Sequence, residues 1–149
     1  MATPPTSRVL ILDTSVVLKW FLEKDERDVA RARELREAFL AQRCMLAAPD
    51  LLLLEVANAL TAAHRFSPKV AAAIASILEV GLHMVELRFS ALVKAIELAS
   101  TYRTTVYDSC FLAVAIEAGG LLVTADETFL RKIGSHAHIT SLRNLSLPG

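Results

Sequence analysis

Residues 104–129, TTVYDSCFLAVAIEAGGLLVTADETF, decide the fold. Positions 107–118 carry good helix formers around most of the helix circumference. Gly119 and Gly120 supply a left-handed C-cap and a turn, and 121–124 is a short apolar run of strand length. Helix, tight turn, buried strand and a new helix start follow one another without a linker. One aspartate stands at each end, Asp108 in the first helical turn and Asp126 just past the C-terminal end of the strand. Open α/β sheets bind ligands beyond the carboxyl ends of their strands, so Asp126 lies where chemistry is expected.

Outward from this stretch the same alternation repeats. Residues 9–12 are a continuous apolar run ending at Asp13, then Thr14, Ser15 and a helix over 16–22, which reads as a central parallel strand with an acid at its tip. A charged loop over 23–28 leads to an amphipathic surface helix over 29–42. A second strand over 45–48 is followed by Pro49, suited to the first turn of a helix continuing to residue 66. On that helix Leu52, Leu53, Val56, Leu60 and Ala63 form a broad apolar side. Glu55 emerges beside Asn58 and small alanines. Ser67 and Pro68 cap the next helix, which is alanine-rich and ends at Gly81. A third strand over 83–87, a helix over 91–102, a short helix after Asp126 and an edge strand over 139–142 complete the chain. Strand and helix alternate throughout, which predicts a three-layer α/β/α architecture around a central, mainly parallel sheet. Residues 1–8 are expected to be a flexible tail and 9–149 a single domain.

The totals bound the function. A net charge of zero confines any polyanion site to a local patch. Cys44 and Cys110 lie far apart without metal-ligand spacing, so a reduced, cytoplasmic protein is expected. The most apolar region, 45–60, is interrupted by Asp50 and Glu55 and is no membrane span.

Asp13, Glu55, Asp108 and Asp126 can all reach one cleft at the C-terminal edge of the sheet. Such a carboxylate cluster repels itself without a cation. Hard oxygen ligands unaccompanied by histidine or thiolate point to Mg2+ or Mn2+. Those ions hold an attacking water and clamp phosphate oxygens. Plainer readings compete. Thr105 with Asp108, and Thr124 with Glu127, both fit the capping-box spacing, and Asp13 fits an N-cap. Glu55 could instead be a buried partner of an arginine. The arginines at 27, 31, 33 and 36 are interleaved with acids and read as a solvated face. His136 and His138 lie near the polar C-terminal tail and show no spacing to the acids. Phosphotransfer to Asp13 is disfavoured, because Ser15 occupies the position where haloacid-dehalogenase-like sites carry a second aspartate.

Together the segments ILDTSVVLKWF, PDLLLLEVANAL, VYDSCFLAVAIEAGG and LLVTADETFL resemble the PIN-domain family, and most closely its VapC-type toxins of bacterial toxin–antitoxin pairs. The likeness runs from Val9 to about Ile139. It implies a Mg2+- or Mn2+-dependent endoribonuclease acting on single-stranded or loop RNA, with Asp13, Glu55, Asp108 and Asp126 as the acidic quartet. Thr14, Ser15, Asn58 and Thr124 then match the family's supporting polar positions. It also implies a homodimer and a cognate antitoxin whose tail covers the cleft. One departure stands out: relatives often carry another acid two residues after the last aspartate, where this chain has Thr128. The alternative is a PIN-like module that binds RNA or protein without cutting.

Overall fold

Strands this short and continuously apolar are stable only when covered on both faces. The computed structural model, which describes residues 8–21, 27–64 and 67–147, covers them so. Five strands form one parallel sheet in the order β3-β2-β1-β4-β5: β1 (Leu10–Leu12), β2 (Leu46–Pro49), β3 (His83–Val85), β4 (Leu121–Thr124) and β5 (Ile139–Ser141). The helices are α1 (Thr14–Leu18), continued by a 3-10 turn over Lys19–Phe21, α2 (Val29–Leu40), α3 (Leu51–His64), α4 (Ser67–Val80), α5 (Phe89–Tyr102), α6 (Val106–Glu117) and α7 (Glu127–Ile133). The architecture is three-layered α/β/α, with every strand pairing parallel. Of the tail expected over 1–8 only Arg8 is described, its guanidinium donating to the Gly120 and Ala137 carbonyls at 2.9 and 3.1 Å; positions 22–26, 65, 66, 148 and 149 also lie outside the described residues.

The centre of the molecule is β1 beside β4, with register pairs Leu10–Leu121, Ile11–Leu122 and Leu12–Val123. Helix α6 crosses β1, β2 and β4 and carries α5 on its other side. Its residues Ser109 to Ala115 are all buried, so it is apolar all round and lacks a solvent stripe. The turn between α6 and β4 uses its two glycines differently. Gly119 takes the left-handed conformation, φ 62°. Gly120 has an ordinary φ, and is small because a Cβ there would stand 2.5 Å from the Val9 carbonyl oxygen.

Two boundaries differ from the sequence reading for a physical reason. Pro49 does not open α3; it ends β2, where β1 no longer pairs, the last register pair being Ile11–Ala47. Its missing N–H costs no ladder bond there, and Asp50 N donates to Val85 O at 3.0 Å instead. The helix after Asp13 is cut to one α-turn and a 3-10 turn, with the Trp20 indole N–H on the Ala32 carbonyl at 3.0 Å. The arginines stay on the surface, but they have partners there. Arg31 donates to the Leu142 and Leu145 carbonyls, Arg36 lies over the Trp20 ring, and Arg27 pairs with Glu127 at 3.0 Å. No helix among the described residues is long and apolar enough to cross a membrane.

Candidate active site at the strand tips

Asp13 is placed by the β-ladder itself. Its N–H donates to Val123 O at 3.0 Å, continuing the pairing of β1 with β4, and its side chain then turns to cap α1. Three donors reach one carboxylate oxygen, Oδ2: the Ser15 hydroxyl at 2.5 Å, the Thr124 hydroxyl at 2.9 Å and the Ser15 amide at 3.4 Å. Both hydroxyls are themselves held. Ser15 Oγ accepts from Ala125 N at 2.9 Å and Thr124 Oγ1 from Asp126 N at 3.1 Å. The β1 and β4 tips are thereby laced together, and among the described residues no donor reaches Asp13 Oδ1. Burial pushes the Asp13 carboxyl above its ordinary range; the hydroxyls of Ser15 and Thr124 oppose that, and Asp108 adds to it.

Glu55 arrives from α3. The Thr14 hydroxyl donates to its Oε2 at 3.5 Å, while Oε1 is buried without a hydrogen-bond partner among the described residues. Its carboxyl is pushed up to about 7, first by burial and then by the negative charges of Asp13 and Asp108. Asp108 sits in the first turn of α6, whose N-cap is Thr105, with Asp108 N donating to Thr105 Oγ1 at 3.0 Å. Burial raises its carboxyl, Asp126 raises it further, and the Thr105 hydroxyl and Lys132 lower it. Asp126 caps α7, its Oδ1 accepting from Phe129 N at 3.0 Å. The four acids therefore act on one another: Asp13 on Glu55, Asp108 on both, and Asp126 on Asp108. Among the described residues no three His, Cys, Asp or Glu side chains are already drawn together as a ligand set. The orphaned Glu55 Oε1 nonetheless fits a cation, as does a donor set made only of carboxylate oxygens.

The remaining positions divide. Thr14, Ser15 and Thr124 join the network. Asn58 is exposed one turn beyond Glu55, and no hydrogen bond among the described residues ties it to the acids. Thr124 is not a capping residue for α7, contrary to the spacing with Glu127; Asp126 takes that role because Thr124 is still in β4 and fully buried. Glu127 turns to Arg27 and does not stand in for the acid replaced by Thr128, which is exposed and accepts from Arg131 at 3.3 Å. His138 lies at the opposite end of β4, its Nδ1 2.8 Å from Gly120 O. Lys132, beside Asp108 and donating to Arg103 O at 3.1 Å, escaped sequence reading; a basic residue in a last helical turn looks like ordinary complement to the helix dipole.

A parallel sheet in the order 3-2-1-4-5, with Asp13 buried and Asp126 half-buried beyond the tips of β1 and β4, defines an α/β protein with acids gathered at one edge of its sheet. Residues 10–134 match the PIN domain family model, and the chain belongs to the PIN-domain family. No curated protein matches the sequence significantly. In fold the chain is similar to a toxin–antitoxin complex from Klebsiella pneumoniae, at 14% identity and TM-score 0.65, covering 89% of this chain and 97% of that one. DNA-bound VapBC from Salmonella typhimurium is similar at 17% identity and TM-score 0.66, with 91% and 98% covered. VapC20 from Mycobacterium tuberculosis, a sarcin–ricin loop cleaving toxin, is similar at 16% identity and TM-score 0.64, with 82% and 93% covered. At these identities the likeness is one of fold.

Proposed function

We propose that the protein is an endoribonuclease dependent on Mg2+ or Mn2+, and the toxin of a toxin–antitoxin pair. The carrying observation is Glu55, whose Oε1 is buried without a partner among the described residues while the charges acting on it are other carboxylates. An acid so placed is stable only when protonated or met by a cation. Asp13, Glu55, Asp108 and Asp126 are the residues to hold that cation. When bound, it lowers the pKa of a coordinated water and neutralises phosphate charge. The chain's own groups do the positioning. Ser15 and Thr124 fix Asp13 through Oδ2 and leave Oδ1 for the metal, Thr14 restrains Glu55 through Oε2, and the Phe129 amide fixes Asp126. Water attacks phosphorus directly, so no side chain bonds to the substrate covalently. Asn58, exposed a turn beyond Glu55, is free to meet RNA.

Single-stranded or loop RNA as substrate, and a cognate antitoxin as partner, follow the fold neighbours, which include a sarcin–ricin loop cleaving toxin and toxin–antitoxin complexes. Phe89, Val93 and Ile96 lie exposed along α5, and Leu54 and Leu78 on α3 and α4, which supports burial in a homodimer or under an antitoxin. A cytoplasmic setting is part of the same proposal. Purified protein should cut labelled single-stranded or stem-loop RNA with Mg2+ or Mn2+ and stop on addition of EDTA. Unchanged cleavage in EDTA removes the metal mechanism, and RNA binding without cleavage in any divalent ion favours the non-catalytic PIN-like module.

A further inference from the structure

Next to the acid site, past the tip of β4, lies a cavity of about 190 Å3 whose lining includes Thr124, Ala125, Leu130 and Leu142, with Asp28 and Arg143 among its polar groups. Leu130 and Ala125 supply partly exposed apolar surface, whereas Leu142 and Thr124 are sealed, and most of the lining is polar.

Those polar groups are arranged at a cost. Asp28 has a left-handed backbone, φ 64°, and occupies the N-cap position of α2, yet its side chain makes no capping bond. Its carboxylate is instead taken by Arg143 at 3.2 Å, from 115 residues away, with Arg27 Nε at 4.0 Å from the same oxygen. An N-cap aspartate that gives up its cap bond forgoes the helix stability that bond would supply. What it gains is a carboxylate and a guanidinium side by side beside the cavity, the second carboxylate oxygen and the remaining guanidinium N–H groups being without partners among the described residues.

We propose that this cavity is a nucleobase pocket that holds guanine flanking the scissile phosphate. An arginine donates in pairs to O6 and N7, and a carboxylate accepts from N1–H and N2–H on the adjoining edge. The two side chains, in contact with each other, fit the corner between O6 and N1. Adenine presents a donor at that corner, and neither pyrimidine offers both edges. Single-stranded RNA bases can be splayed into such pockets, whereas paired ones cannot. Thr124 belongs at once to the cavity wall and to the Asp13 network, so a bound base lies directly beside the cleavage site. The role in cleavage rests on the ribonuclease reading; the binding does not.

The test is titration of the full-length protein with guanosine, adenosine, cytidine and uridine 5′-monophosphates in EDTA, followed by amide chemical shifts. The four are repeated with Arg143→Lys and Asp28→Asn, and cleavage of oligonucleotides carrying one guanine at successive positions is measured with Mn2+. Guanosine monophosphate should shift Ala125, Leu142 and Arg143 and bind at least about tenfold tighter than the other three. Arg143→Lys keeps the charge but loses the fork, and should lose that binding about tenfold. Asp28→Asn should lose the guanine preference first. Equal binding of all four, or none at the cavity, overturns the pocket even if RNA is cut. Guanine binding in a protein that never cuts RNA keeps the pocket and removes the nuclease.

Discussion

The Thr124 hydroxyl donates to Asp13 Oδ2 at 2.9 Å, joining the tips of β4 and β1 across 111 residues of chain, and it also accepts the Asp126 amide at 3.1 Å. One hydroxyl thus sets the position of two acids. Thr124→Val keeps the shape and removes both bonds inside a fully buried site. It should cost roughly 1–3 kcal/mol, read as a lower melting temperature, because the Asp126 amide loses its acceptor and Asp13 Oδ2 loses one of its three donors. Metal affinity should fall by about 10–100-fold, the usual effect of losing a group that orients a ligand, and calorimetric titration with Mn2+ measures it. Unchanged affinity would mean that Asp13 does not ligate the metal.

Asp108→Asn and Glu55→Gln separate a metal site from structural acids. Burial and mutual repulsion strain both carboxylates, so removing either charge should leave metal-free stability unchanged or higher near pH 8. Activity should collapse. Metal at a hundredfold excess over its dissociation constant should stabilise the wild type by about 2.7 kcal/mol, a rise of very roughly 5–10 °C in melting temperature. Both variants should lose most of that rise. A wild type indifferent to Mn2+, with Glu55→Gln melting far lower, sinks the nuclease reading.

The raised carboxyls give the metal-free protein a pH dependence of definite sign. Glu55 titrates near 4.5 when unfolded and about 7 when folded, so between those values the native state holds more protons than the unfolded one. Stability therefore falls as pH rises through that window, and Asp13 and Asp108, also raised, contribute with the same sign. Saturating metal should flatten the slope. Metal binding at pH 6.5 should release a proton, seen as a dependence of the binding enthalpy on the buffer's ionisation enthalpy. Glu55→Gln should reduce that release, leaving whatever Asp13 and Asp108 contribute.

Thr128→Asp would place a carboxylate on α7 two residues after Asp126. Thr128 is exposed and engaged only by Arg131 among the described residues, so the fold should tolerate the change within about 0.5 kcal/mol. Divalent-ion affinity should rise several-fold, and the number of ions bound should be counted by titration. Glu127→Gln, at a side chain turned to Arg27, should leave metal affinity unchanged. An equal response to the two substitutions would contradict the orientation of Glu127.

Local chemistry made much of this protein legible in its sequence. Apolar runs of strand length, helix periodicity and the two glycines after α6 marked the elements, β4 to the residue. The acids are found at strand tips and first helical turns because backbone geometry puts those positions at the C-terminal edge of a parallel sheet. Capping spacings carried less information, since the same pattern describes Thr105, which does cap, and Thr124, which does not. What separates them is burial, and burial is a property of the assembled layers: Thr124 is sealed between β1 and its own turn, where its hydroxyl must find Asp13. Tertiary structure alone also turned Glu127 to Arg27, set Lys132 beside Asp108, and brought Arg143 to Asp28 from 115 residues away. Side-chain partners so distant in the chain leave no periodic trace, because nothing in the local backbone requires them; they are fixed only when the sheet order brings β5 and the chain after it alongside α2.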